Sequence, residues 1–430
     1  EIVCNATEGV GADHHWKVWV GNQSSLKSNA TTSYLPPSIE SLSGNLTLGT
    51  SGADAERVTI DGVNFGPVVE ANTVEAVYGN AALSSVSGRG DFTAKGCAVT
   101  SAHTKIVCTS VEGVGRDHRW RVTVGDQQSS ASNDTTSYFA PSIMSLDGDF
   151  LVHPTIYNVE HHEPPVITIC GSNFGPESPA ANLSTNGTNG TSSNTSNTVR
   201  VVYQNAALIS PLGASEYTAS ECRVTKSHTE ILCVAVDGVG SGLRWSVLIG
   251  DQWSAPSNDT TRYETPSISG VSPALHGTAN STEITIIGSS FGPDVPSNVI
   301  SAAYVNPAFG GEGLAGKEYT AVGCAVQIED TKILCRSAVD GVGSGFRWRV
   351  AVGGQQSSAS RNMTSYLPPS ITALGGDLLL PTNGSGSVTV TIRGANFGLR
   401  DASNAVEAVY QQNSAHASTY AGVEYSASSC

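Results

Sequence analysis

Charge is scarce in this chain, and positive charge is scarcer. Only 14% of its 430 residues are Asp, Glu, Lys or Arg, and 22 basic side chains stand against 37 acidic ones, for a formal net charge of −15. Gripping a phosphate backbone takes clustered Lys and Arg, so nucleic acid is excluded as a partner. Long apolar runs are missing too. No stretch of about eighteen apolar residues occurs, so no membrane span is expected in this segment. No stretch keeps a helical apolar period over a useful length. No secretory leader opens the chain, although a chain that opens inside a repeated unit would not display one.

Catalytic constellations are equally thin. Asp13-His14-His15-Trp16 and Asp117-His118-Arg119-Trp120 resemble sites until the parallel stretches Ser241-Gly242-Leu243-Arg244-Trp245 and Ser344-Gly345-Phe346-Arg347-Trp348 are read, which keep the Trp and lose the acid and the His. Those positions read as variable surface ahead of a core strand. Glu160-His161-His162-Glu163 is dense in ligand types but lies before Pro164-Pro165 without the helical spacing of a zinc protease, and it reads as a solvated loop. The Gly-Val-Gly turns lead into strands with no following Lys-Ser/Thr, so they are not phosphate loops. The expectation is a protein that is not an enzyme, has no catalytic or metal residues, and carries no cofactor beyond covalent N-linked glycans.

What the chain has is repetition. Four markers recur in fixed order. Pro-Ser-Ile follows an aromatic at Tyr34 to Ile39, Tyr138 to Ile143, Tyr263 to Ile268 and Tyr366 to Ile371. A Phe-Gly turn follows at Phe65-Gly66, Phe174-Gly175, Phe291-Gly292 and Phe397-Gly398. Then come the pairs Cys97 with Cys108, Cys222 with Cys233, and Cys324 with Cys335, each enclosing ten residues. Last is a Gly-Val-Gly turn leading to Trp16, Trp120, Trp245 and Trp348.

The Trp positions lie 104, 125 and 103 residues apart, one domain per repeat. The long step has a local cause: Phe to the next Tyr is 13 residues in three copies but 29 from Phe174 to Tyr203. The surplus falls mostly within 177–197, whose Ser, Thr, Asn and Gly composition suits a surface excursion. Between markers, runs such as Val58-Thr59-Ile60 and Val388-Thr389-Val390-Thr391-Ile392 are β-branched, and Trp120-Arg121-Val122-Thr123-Val124 alternates at period two. The spacing predicts an all-β chain of tandem immunoglobulin-like β-sandwiches in a linear array. Three are whole, at 37–140, 141–265 and 266–368. Segment 1–36 is the C-terminal half of such a domain and 369–430 the N-terminal half, so the chain's tail followed by its head restores one repeat.

With Pro-Ser-Ile at the start, Ile-x-Gly-x-Asn-Phe-Gly in Ile60 to Gly66 and Ile392 to Gly398, the short-loop Cys pair and the closing Tyr, the chain resembles the IPT/TIG repeats of plexins, growth-factor receptors and fibrocystin-like surface proteins. The resemblance implies the fold, and not a unique function, because this fold serves mainly as a spacer or contact module. The charge balance points away from the transcription-factor branch of that family.

Compartment follows from Asn and Cys. Sequons stand at Asn5, Asn22, Asn29, Asn45, Asn133, Asn182, Asn186, Asn189, Asn194, Asn258, Asn280, Asn362 and Asn383. Four of them, Asn29, Asn133, Asn258 and Asn362, hold one place in every repeat. Each internal Cys pair is expected to close a β-hairpin as a disulfide, since Val99 and Ile106, or Val224 and Ile231, flank a short polar turn. A zinc reading fits ten-residue spacing without His partners poorly. Glycans and disulfides together place the protein outside the cell, secreted or on the cell surface. Of the remaining cysteines, Cys4 and Cys430 are the halves of a fourth pair, joined either between subunits or through a longer polypeptide, and Cys170 reads as unpaired.

Trp16, Trp120, Trp245 and Trp348 recur and are assigned to sandwich cores, whereas Trp19 and Trp253 do not recur and are candidates for protein contact or a stacked sugar. Partial shielding under a loop or glycan would also account for them. The functional expectation is a structural subunit of a glycosylated extracellular filament, with other copies of the chain as head-to-tail partners completing its half-domains. The alternative is the stalk of an adhesion or receptor ectodomain.

Overall fold

The computed structural model describes residues 1–53, 56–80, 91–152, 165–177, 199–205, 216–296, 298–306, 318–339, 341–382, 388–398, 406–411, 424–427 and 430. Every regular element among them is a strand. β-branched and aromatic residues alternate with polar ones along these strands, which suits a pleated surface buried on one face.

In the first complete unit, one sheet runs Lys95–Ser101, Lys105–Thr109, Arg57–Val63, Ser38–Gly44, each antiparallel to its neighbour. The facing sheet places His118–Val124 between Val74–Gly79 and Thr135–Tyr138, with Phe92–Thr93 beyond the former. Thr47–Leu48 crosses over to pair in parallel with Thr135–Tyr138. Period-two alternation turns Val58, Ile60, Ile106 and Cys108 toward Ala76, Tyr78, Trp120 and Val122, all buried. Each fully buried aliphatic side chain there contributes about 1.5–3 kcal/mol against exposure. The strands from Ser142 to Tyr263 and from Ser267 to Tyr366 repeat this arrangement around their own cores.

Each core is organised by the marker aromatics. The Trp rings stack on the Tyr rings of the neighbouring strand, Trp120 on Tyr78 at 4.3 Å, Trp245 on Tyr203 at 4.3 Å and Trp348 on Tyr304 at 4.2 Å. Burying an indole requires a partner for its N–H. Trp120 Nε1 donates to Thr136 Oγ1, Trp245 to Thr261 and Trp348 to Thr364, at 3.0, 2.9 and 2.8 Å. The Tyr that precedes each Pro-Ser-Ile closes the core: the Tyr138 hydroxyl bonds that of Tyr78 at 2.7 Å and donates to the Val111 carbonyl. Burial pushes the pKa of the Tyr203 hydroxyl up to about 12 and raises that of Tyr263 well above the ordinary tyrosine value.

The Gly-x-Asn-Phe-Gly motif has a steric origin. At Gly62 any Cβ would collide with the Ser38 carbonyl and the Phe65 ring, so the strand closes down on its neighbour and Phe65 is fully buried. Asn64, Asn173 and Asn396 adopt φ of 65°, 64° and 65°, a conformation Asn tolerates better than other side chains. Their amides donate to the carbonyls of Pro36, Ala140 and Pro368, pinning the linker that enters each unit.

One expectation is corrected. His118 is not surface: it is buried among Tyr78, Phe92 and Tyr138. The equivalent Leu243 and Phe346 are buried as well. In the three complete units the position lies under the Gly-Val-Gly turn and accepts any side chain that fills the space, so its chemistry drifts there while its burial does not; the equivalent His14 is exposed.

Candidate functional site

The Gly-Val-Gly turns are the joints of the array. Val10, Val114 and Val239 each belong by chain order to one repeat and pack against the core of the next. Val114 is buried within the cluster built from Ile167, Ile169 and Phe174. Val10 and Val239 lie against Gly66 and Gly292 of the following Phe-Gly turns, where a Cβ would overlap the valine methyl.

Beside each valine, backbone meets backbone. The β-hairpin turns Gly125-Asp126-Gln127, Gly250-Asp251-Gln252 and Gly353-Gly354-Gln355 reach back to the preceding repeat. A Cβ at Gly125 would fall 2.6 Å from the Gly11 nitrogen, and one at Gly353 2.6 Å from that of Gly240. Only glycine permits this approach. The Gln then donates its Nε2 to the carbonyl of the preceding repeat's closing Tyr: Gln127 to Tyr34, Gln252 to Tyr138 and Gln355 to Tyr263, each at 3.1 Å.

Charged groups flank the joints unevenly. At the tips of the Cys hairpins, His103 Nε2 lies 3.2 Å from Glu8, and His228 bridges Glu112 and Thr50 at 3.0 Å each. Arg116 reaches Asp251 at 2.6 Å. These exposed ion pairs contribute little individually. The apolar plug and the glycine contact carry the coupling.

The described residues of the first and last segments, 1–36 and 369–430, leave large apolar side chains exposed. Trp16 keeps its indole bond to Thr32 Oγ1 at 3.0 Å, as its counterparts do, yet is 44% exposed where Trp120 is fully buried. The expectation that Trp16 packs in a core is therefore corrected: among the described residues no facing sheet covers it. On the other half-unit, Tyr410 and Tyr425 stack at 5.4 Å, matching Tyr304 on Tyr319 at 5.4 Å, and both are exposed. Ile371, Leu374, Val390, Ile392 and Phe397, on or just after the separate strand pair Ser370–Gly376 and Val390–Ala395, are exposed as well. One face presents a Trp without its Tyr, and the other a Tyr pair without its Trp.

The structure joins Cys97 to Cys108, Cys222 to Cys233 and Cys324 to Cys335, with Cα separations of 4.1, 4.2 and 4.1 Å. Val99 pairs with Ile106 and Val224 with Ile231 across these hairpins. Each strand bulges next to its cysteine, where Gly96, Glu221 or Gly323 takes positive φ. Cys4 and Cys430 are free and exposed, and Cys170 is free and half-buried. Asn5, Asn22, Asn29, Asn45, Asn133, Asn258, Asn280 and Asn362 are exposed. Asn182, Asn186, Asn189, Asn194 and Asn383, the 160–163 cluster, and nearly all of the 177–197 loop lie outside the described residues. Trp19 is 63% exposed with Lys17 Nζ 5.0 Å from its ring, and Trp253 is 47% exposed near Arg200. Among the described residues no group of His, Cys, Asp or Glu is arranged to hold a metal, and no helix is long and apolar enough to cross a membrane.

Reading the sequence missed the joint residues. Their signal was present in the constant Asp/Glu-Gly-Val-Gly and Gly-x-Gln spacing of every repeat.

No protein family and no curated protein matches the chain by sequence. Among solved structures, it is similar to the full extracellular region of plexin A4 at 15% identity and a TM-score of 0.20, over 82% of this chain and 26% of that one. It is similar to invasin, a bacterial integrin-binding protein, at 11% identity and a TM-score of 0.22, over 83% of this chain and 67% of that one. A structure solved with a xylogluco-oligosaccharide is similar at 12% identity and a TM-score of 0.28, over 84% and 69%. Likenesses this distant carry no argument about activity or assembly. The fold stands on the strand order, and it is all-β, a tandem array of immunoglobulin-like sandwiches.

Proposed function

We propose that this chain is a length of an extracellular, N-glycosylated filament built from end-to-end sandwiches of the IPT/TIG type, in which a neighbouring copy completes each half-unit. The chain is a structural element and not an enzyme. The carrying observation is the complementarity of the two open faces: the exposed Trp16 is already held by Thr32, and the exposed Tyr410 and Tyr425 are already stacked. In interior units these groups form one aromatic core. Joining the faces would remove from water the apolar side chains that each now exposes, the dominant favourable contribution to association.

The joints support the rod. A plug, a glycine contact and a Gln bond repeated between units hold successive domains closely, as a spacer or load-bearing fibre requires. Three disulfides and exposed sequons support a secreted or cell-surface location. Surface glycans with few charges would keep the fibre soluble without lateral pairing.

Negative-stain microscopy of the purified glycoprotein tests this. Long unbranched fibres are expected. Dispersed short rods at every concentration would overturn the filament and leave the adhesion or receptor stalk as the better account.

A further inference from the structure

The third complete unit has a sheet that runs Ser267–Ser272, Glu283–Ser289, Lys332–Arg336, Val322–Ile328. Ile284, Ile286, Ile333 and Val326 point into the core and are buried, and the residues between them line the outer face. The register sets those outer residues in rows across the sheet. Gly270, Ile287, Lys332 and Ile328 make one row, Ser272, Thr285, Leu334 and Ala325 the next, and Glu283, Arg336 and Val322 the third.

This face lacks the ion pair that its counterparts carry. In the first unit the places of Ile287 and Lys332 are held by Asp61 and Lys105, which are paired, with Ser43 donating to the same carboxylate. In the second unit the places of Ile328 and Lys332 are held by Lys226 and Glu230, again paired. The third unit instead exposes Ile287 at 42% and Ile328 and Val322 at 55% each. Among the described residues Glu283, Lys332 and Arg336 make no ion pair or side-chain hydrogen bond. An apolar patch rimmed by unpaired charges marks a contact surface.

The face is complementary to itself. A two-fold axis parallel to the strands, between Glu283–Ser289 and Lys332–Arg336, keeps each row in place and exchanges the strands, with the two sheets packed about 10 Å apart. Glu283 then meets the partner's Arg336, and Arg336 meets the partner's Glu283. Ile328 at one edge lies over the partner's Gly270, where no atom stands within 4 Å of a Cβ position. Lys332 lays its stem across the partner's Ile287 and, as the first residue of its strand, keeps its ammonium in water at the end of the sheet. The same operation in the first or second unit would take an ion pair out of water, at a cost in desolvation.

We infer that the outer sheet of the third complete unit packs side by side on the same sheet of a second copy. The contact is isologous and closes on itself, so it is independent of any end-to-end joining. It confines lateral pairing to one face of a surface that glycans otherwise keep apart.

Charge reversal in the full 430-residue chain tests this, with thermal melts showing that each variant, altered at exposed positions, is folded. Particle width in negative stain reads lateral pairing and particle length reads end-to-end growth, so the two readings fail separately. Wild type is expected to double in width over this unit as concentration rises. Glu283→Arg and Arg336→Glu are each expected to raise the concentration at which pairs appear about tenfold, because like charges then meet. Mixing the two variants, or combining both changes in one chain, is expected to restore pairing, since each arrangement again sets Arg against Glu. Ile328→Glu is expected to weaken pairing with no such rescue. Wild type of single width at every concentration would overturn the pairing, whatever its length. Pairs that form equally well in every variant, or single variants that pair poorly and are not rescued by mixing, would overturn the two-fold seam.

Discussion

Gln252 donates its side-chain amide to the main-chain carbonyl of Tyr138, 3.1 Å away and in the preceding repeat. Tyr138 is also the residue whose hydroxyl closes the first unit's core against Tyr78. One residue therefore seals its own sandwich with its side chain and receives the next sandwich with its backbone. Because the acceptor is a carbonyl, substitution of the tyrosine cannot remove it, and the joint depends on the Gln and on the glycines that let the backbones meet.

Val114 should stabilise a unit to which it does not belong in sequence. Val114→Ala removes methyl groups from the cluster of Ile167, Ile169 and Phe174, at a cost of about 2 kcal/mol. Hydrogen exchange should show faster opening of Val166–Ser172 with Arg57–Val63 unchanged. Equal loosening of both strands would contradict the plug.

The third unit should be acid-sensitive. His276 is fully buried, edge-on to Tyr304, Trp348 and Tyr366, at the place where the other units have Leu48 and Val152. Burial lowers its pKa, so the fold favours neutral imidazole. The associated stability is fully present above the unfolded value of about 6.5 and is lost as pH falls through the lower folded value, by at most about 1.4 kcal/mol per pH unit. Thermal melts between pH 7 and pH 4 should show that His276→Leu flattens this slope. An unchanged slope would place the acid response elsewhere.

Each hairpin disulfide closes a short loop, with a sequence separation of 11. Replacing Cys222 and Cys233 together with Ser should cost about 3 kcal/mol, read as a lower denaturation midpoint for the second unit alone. On non-reducing gels, a ladder that collapses to monomer on reduction would mark Cys4 and Cys430 as linked between copies. A single band under both conditions would leave them unlinked.

Asn29, Asn133, Asn258 and Asn362 are exposed in the bend that precedes the closing Tyr of each repeat. Material from a secreting eukaryotic host should lose mass on glycosidase treatment. The quadruple Asn→Gln variant should lose the corresponding glycopeptides with little change in melting temperature, since exposed substitutions usually shift stability by no more than about 0.5 kcal/mol.

The units were legible because their signals are local. Gly62 and Phe65 sit three residues apart in a motif whose spacing reports a strand closing on its neighbour, and Val99 and Ile106 flank a turn short enough to dictate their pairing. Chemistry at His118 misled, because a position that changes from His to Leu to Phe looks like surface until burial is seen.

By itself the sequence determined the repeat length, the strand periodicity and the cysteine pairing. Each follows from neighbouring residues or from comparing one repeat with another. Only the tertiary structure decided that Val114 belongs to the following core and that Gly125 meets Gly11. Those contacts join residues far apart in the chain, where no local pattern constrains them. They exist because successive sandwiches stack closely enough for a plug, a backbone contact and one amide to meet.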